Sequence, residues 1–252
     1  MSAGHRALQR KDYKAADKWF SEAVEQSGRN NAETLGLLRS LSSLAFVYQQ
    51  ENKLAEAVAL RKRALSVAEK ISGPDHPDVA EALNDLAEVY QLQGNYAESV
   101  PLYERAIAIR EARLGTGHAA VASSLNSLAE AARAHADRAS AERYFNRALS
   151  IGSKLGPAHP ELARSLNGLA DVYVEQGHFS DAERLYKQVL GMANDLGKSH
   201  TEIVRARNGL ASVSAGTKPS PPDSDRADQK AAATQSSSPR HWWQLRFGKR
   251  SQ

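Results

Sequence analysis

Apolar residues recur along this chain at helical spacing. Leu83, Leu86, Ala87 and Tyr90 keep the i, i+3, i+4, i+7 pattern that lines one stripe of an α-helix, and Leu166, Leu169, Ala170 and Tyr173 repeat it. A glycine-containing turn follows each, at Gln93-Gly94-Asn95 and Gln176-Gly177-His178. A second column of small and aromatic residues then begins, Tyr96, Ser99, Tyr103 and Ala106, matched by Phe179, Ala182, Tyr186 and Val189. Arg138, Ala141, Phe145 and Ala148 follow the same column more loosely, and so do Tyr13, Ala16, Phe20 and Ala23. The pattern predicts a unit of helix, tight turn, second helix and loop, with second helices starting near Tyr96 and Phe179.

The unit repeats. Leu83-Asn84-Asp85-Leu86-Ala87 returns as Leu125-Asn126-Ser127-Leu128-Ala129, Leu166-Asn167-Gly168-Leu169-Ala170 and Arg207-Asn208-Gly209-Leu210-Ala211, with asparagine spacings of 42, 41 and 41 residues. Leu41-Ser42-Ser43-Leu44-Ala45 is an upstream copy with Ser42 in the asparagine place. A fixed period of this size means stacked supersecondary units. Loops at Ser72-Gly73-Pro74, Leu114-Gly115-Thr116-Gly117, Leu155-Gly156-Pro157 and Leu196-Gly197-Lys198 separate them. Pro77 and Pro160 suit first helical positions, with Asp78 and Glu161 beside them in the first turn. Ser199 and Glu202 offer a capping box for the last helix. Alanines 45, 87, 129, 170 and 211 leave room for close approach of paired helices.

These columns resemble the tetratricopeptide repeat. The unit exceeds the usual length of about 34 residues, and the connector Leu155-Gly156-Pro157-Ala158-His159-Pro160, with Gly73-Pro74-Asp75-His76-Pro77 close to it, is similar to the 42-residue repeats of the kinesin light chain type. No long heptad segment is present, so the motor-joining coiled coil of true kinesin light chains has no counterpart here. The resemblance covers roughly residues 1 to 214. It implies an all-α fold, a right-handed superhelical solenoid of tetratricopeptide-like helix pairs: about five pairs, including a short N-terminal one, and a C-terminal capping helix. The linker 215–238, rich in Pro, Ser, Ala and Asp, reads as disordered, and residues 239–252 form a basic aromatic tail. The short first helix before Tyr13 reads as a worn cap or as a start inside a longer array, and an exposed apolar end there would make the chain self-associate.

Composition fits such an array, with 41% hydrophobic and 25% charged residues. The absence of cysteine removes thiol catalysis, disulfides and Cys-based metal sites. With no signal-like apolar run at the start and no stretch of 18 apolar residues, the chain reads as cytoplasmic. The formal charge of +4 belongs to the end of the chain, where seven basic and three acidic residues follow Ala215. Nucleic-acid binding by the array is therefore not expected. His76, His118, His159 and His200 recur at the period, but successive units lie at least ~8–10 Å apart, too far to share one metal with bonds of about 2 Å. They read as loop and helix-start residues. Gly115-Thr116-Gly117 has no preceding strand and reads as an ordinary connector. No nucleophile, base and orienting acid stand at a spacing that recommends them. We expect no enzyme activity, no cofactor and no metal.

The functional expectation is a surface. On the first helix of each unit, residues three before and four after the asparagine share its face, opposite the apolar stripe. One row reads Arg39, Glu81, Ser123, Arg164 and Arg205; the central row Ser42, Asn84, Asn126, Asn167 and Asn208; the third Phe46, Glu88, Glu130, Asp171 and Ser212. By the resemblance, this is the inner, concave wall. An asparagine amide both donates and accepts, so a ladder of them can hold the backbone of an extended peptide while flanking charges select it. The alternative is that the asparagines only tie neighbouring helices together. The expected role is a protein-interaction scaffold with a peptide groove. The alternative role lies in the tail, where Trp242, Trp243, Arg246, Phe247, Lys249 and Arg250 suit weak contact with an anionic membrane, or with nucleic acid, or the chain's own groove as an autoinhibitor.

Overall fold

The computed structural model describes residues 3–29 and 34–215. Twelve helices fill them: α1 Ala3–Gln9, α2 Tyr13–Arg29, α3 Leu35–Gln50, α4 Leu54–Ser72, α5 Pro77–Leu92, α6 Tyr96–Leu114, α7 Ala119–Ala134, α8 Arg138–Leu155, α9 Pro160–Gln176, α10 Phe179–Gly191, α11 Ala193–Leu196 and α12 Thr201–Ser214. No strand occurs among the described residues. The fold is all-α, in the helix-pair arrangement that the apolar columns predict, and the second helices begin at Tyr96 and Phe179. The linker and tail lie outside the described residues.

Two compact units divide the chain, residues 1–137 and 138–252. In the first, α1 packs on α2, α3 on α4 and α5 on α6, and each second helix also packs on the next first helix. The first helices α5 and α7 touch directly. In the second unit α9 packs on α8 and α10, and α12 packs on both α10 and α9.

Local chemistry sets the joints. His76, His118, His159 and His200 are the N-caps of α5, α7, α9 and α12, each Nδ1 accepting from the backbone N–H two residues on, at 3.2, 3.1, 3.1 and 3.3 Å. The proton of each ring therefore sits on Nε2, and one donor left over by the first helical turn is satisfied. Pro77 and Pro160 follow two of these caps as expected. The cap of α12 is His200, which corrects the Ser199–Glu202 reading: the ring supplies the acceptor from the position that histidine also holds before α5, α7 and α9, and that Thr34 holds before α3. Within each pair, one residue of the turn takes left-handed φ: Lys11 at 58°, Asn52 at 58°, Gly94 at 76°, Ala136 at 63° and Gly177 at 84°. Glycine is the unstrained choice there, and two of the five copies use it.

The alanine column is the seam of the pairs. Ala45, Ala87, Ala129 and Ala170 are each fully buried, whereas Ala211 is exposed, because no second helix follows α12 among the described residues. One further slot shows how the layers close. In the second unit Phe145 lies against Gly168, where an added Cβ would come within 2.2 Å of its ring, and Tyr186 lies against Gly209, where the same distance is 2.4 Å. In the first unit the same two columns hold Phe20 and Ser43, Tyr103 and Ser127, and in one layer Arg61 and Asp85, paired at 2.6 Å, with Arg61 also donating to Gln49 Oε1 at 2.8 Å.

Candidate functional site

The three rows lie on the first helices, but those helices are not isolated cylinders. Where α5 meets α7, and where α9 meets α12, the central row is drawn into the contact. Asn126 and Asn167 are fully buried. Asn84 is half-buried and Asn208 is exposed. The face opposite the leucine stripe is thus not uniformly open, contrary to the placement expected from helix geometry alone.

The amides bond to protein. Asn84, oriented so that both its amide atoms are paired, accepts from Arg110 Nη1 at 2.5 Å and from Ser124 Oγ at 2.9 Å. Arg110 is itself buried and donates to Ser124 Oγ at 2.5 Å and to the carbonyl of Ala120 at 3.0 Å. This network joins α5, α6 and α7. In the second unit Asn167 Nδ2 donates to both the backbone carbonyl and the carboxylate of Glu202, each at 2.8 Å, which ties α9 to α12. Ser124, Arg110 and Glu202 were not singled out as partners by the sequence reading. Arg110 was visible as an anomaly, since it stands in the column of Ala68 and Gly152.

The flanking rows differ between the units. In the first, Arg39 and Glu88 are exposed, and Glu81, Ser42, Phe46, Ser123 and Glu130 are half-buried. Glu130 pairs with Arg133 at 3.0 Å. In the second, Asp171 pairs with Arg205 and accepts from the Tyr186 hydroxyl. The third row of α9 is thereby neutralised by the first row of α12. Arg164 is half-buried. The structure therefore brings Arg205 and Asp171 together, as it does Glu130 and Arg133.

No cluster of three His, Asp or Glu able to hold a metal ion occurs among the described residues. No helix among them is long and apolar enough to cross a membrane. Trp242, Trp243, Arg246, Phe247, Lys249 and Arg250 lie outside them. Trp19 on α2 is half exposed. It stands in the column of Leu60 and Leu102, which pack against the cores of their layers.

Comparison with known proteins agrees with this architecture. The family model of the tetratricopeptide repeat matches residues 33–112, 78–154 and 141–195. Among solved structures, the chain is similar to the nearly identical TPR-like repeats of a kinesin light chain-like protein from Podosopora anserina. A point-substituted form of those repeats is 25% identical at a TM-score of 0.67, covering 76% of this chain and 92% of that one. A second structure of the repeats gives 26% and 0.66, covering 77% and 93%. BtubC (BKLC) from P. vanneervenii shares the fold at 21% identity and a TM-score of 0.66, covering 77% of this chain and 78% of its own. Repeats of this kind generally serve as non-catalytic scaffolds that bind protein partners. The chain belongs to the tetratricopeptide repeat family, and its neighbours in structure are of the kinesin light chain-like kind.

Proposed function

We propose that the chain is an interaction scaffold which takes an extended, basic segment of a partner protein along the first-helix face of α3, α5 and α7. The observation that carries this reading is the register. Glu81, Glu88 and Glu130 stand at the flanking positions of successive first helices, with Glu130 beside Arg133 at 3.0 Å. Repeated carboxylates on one face attract Lys- and Arg-bearing peptide and set its direction, with Arg39 at one end repelling the wrong register. The half-buried Ser42 and Ser123 supply hydroxyl groups for the peptide main chain, whereas Asn84 is held by Arg110 and Ser124. Asn126 is buried and Asn167 is committed to Glu202, so both serve the frame.

Selection from a displayed random peptide library on the full chain tests this. Selected peptides should be rich in Lys and Arg, and should lose about tenfold in affinity, about 1.4 kcal/mol, on Glu81→Lys with Glu88→Lys. Thermal unfolding of the variant checks that the fold persists. Undiminished affinity in a folded variant would remove the reading. Trp19 favours a second, additional reading, self-association through the N-terminal pair. Sedimentation at several concentrations should show dimer in the native chain and less in Trp19→Lys; a monomer throughout excludes it.

A further inference from the structure

The second helices carry a difference between copies that the groove reading does not use. Between α4 and α6 an ion pair bridges the outer seam. Arg105 on α6 reaches Glu69 on α4 at 2.8 Å and the carbonyl of Pro74 at 3.3 Å. One turn away from each partner, Leu65 and Leu102 pack onto the core of Val79, Leu83 and Ala106. The bond is a surface ion pair and adds little stability, about 0–1 kcal/mol, but its two side chains lie across the seam.

The same register in the second unit places Ser153 where Glu69 stands and Gln188 where Arg105 stands. Neither carries a charge, and Ser153 turns back to the carbonyl of Ser150 at 3.1 Å. No ion pair therefore joins these two positions across the seam. The first unit has a hollow of about 440 Å³ lined by residues 72–77 and Arg113; in the second, a shallow cleft of about 550 Å³ lies between α8 and α10, with the half-buried Leu149 and the buried Leu166 and Leu185 in its floor and Ser153 and Gln188 on its wall. No lining residue is charged. Apolar clefts with a few convergent polar groups take apolar side chains.

We propose that this cleft is the docking site for the aromatic segment Trp242-Trp243-Gln244-Leu245 of the same chain. Three observations favour this occupant. The segment concentrates two of the chain's three tryptophans, and an uncharged leucine-lined cleft suits indole rings while Arg240 and Arg246 remain in solvent. The segment is tethered to this unit, since α12, the last described helix, packs on α10, one wall of the cleft. The tether is long enough: a coil of 26 residues, the length from Gly216 to His241, would reach roughly 25–30 Å, against about 16–20 Å for two helix spacings. Tethering also raises the local concentration of the segment, to the millimolar range for a short flexible linker, so a modest contact suffices.

Tryptophan emission of the full chain tests the proposal, in a Trp19→Phe background so that only Trp242 and Trp243 report. Docked indoles should emit at shorter wavelength than the free peptide 239–252 and resist quenching by acrylamide. Ser153→Glu with Gln188→Arg rebuilds the strap of the first unit on two exposed positions, and should return the emission to that of the free peptide without changing the helical circular dichroism. Emission identical to the free peptide in the Trp19→Phe chain would overturn the proposal. So would protection that survives the strap variant, which places the segment elsewhere, or protection that grows with protein concentration, which assigns the cleft to the tail of a second copy.

Discussion

The layer of α4, α5 and α6 and the layer of α8, α9 and α10 share one apolar frame. Leu65, Leu83 and Leu102 in the first occupy the columns of Leu149, Leu166 and Leu185 in the second. What closes the frame differs. The first layer uses charge, with Arg61 on Asp85 inside and Arg105 on Glu69 outside. The second uses shape, with the Phe145 ring filling the space over Gly168, and carries no charge at the two outer positions. Leucines and alanines therefore fix the pairing of helices, while the two variable slots set whether charge or shape fills each layer.

The largest effect separating the two closures should come from Phe145→Ala. It empties a fully buried site beside a glycine that cannot fill it, and we expect a loss of about 3–5 kcal/mol in urea unfolding. A smaller effect is expected at the ionic slot. Arg61→Phe alone leaves Asp85 without its close cation, but that carboxylate keeps 30% exposure, so the cost should be about 1–3 kcal/mol and not the value for a fully buried pair. The double change Arg61→Phe with Asp85→Gly converts the slot to the form of the second layer and should recover most of the loss. A double-mutant cycle measures this, and a purely additive result would mean that the two columns do not form one slot.

Smaller again is the turn residue Ala136. Its φ of 63° is strained for a residue with a Cβ, and Ala136→Gly should raise stability by up to about 1 kcal/mol in thermal or urea unfolding. The smallest effect concerns His5, whose ring meets Phe20 edge-on at 5.3 Å. Burial, with help from the N-terminal amine and Arg39, lowers its pKa below the ordinary 6.5. The unfolded chain then binds this proton first, so the term is absent at neutral pH and destabilises as pH falls below about 6.5. His5→Phe should flatten that limb of the stability profile, and an unchanged profile would remove the assignment.

Most of the fold was legible in the sequence because it is written as columns: the stripe of Leu83, Leu86 and Ala87 and the starts at Tyr96 and Phe179 need only helical periodicity. The burial of Asn126 and Asn167 has a physical origin. Reasoning on one helix assigns the face opposite the leucines to solvent, whereas first helices in a stack also touch each other, as α5 touches α7 and α9 touches α12. The same neighbours explain why Asp171 faces Arg205. His200 was a matter of weighting: its recurrence at the period was plain, but its capping bond needed Nδ1 and the N–H of Glu202 in place. The Arg61–Asp85 and Phe145–Gly168 exchange was present in the aligned columns, and it becomes meaningful once the two columns are known to meet.

The two faces can be compared directly by placing a photo-cross-linking residue at Glu88, on the first-helix face, or at Gln188, in the outer cleft, and irradiating the full chain with a library-selected basic peptide. The account predicts a covalent peptide adduct from position 88 and none from position 188. A peptide adduct from 188 with none from 88 would contradict it, and would move partner binding to the second-helix side.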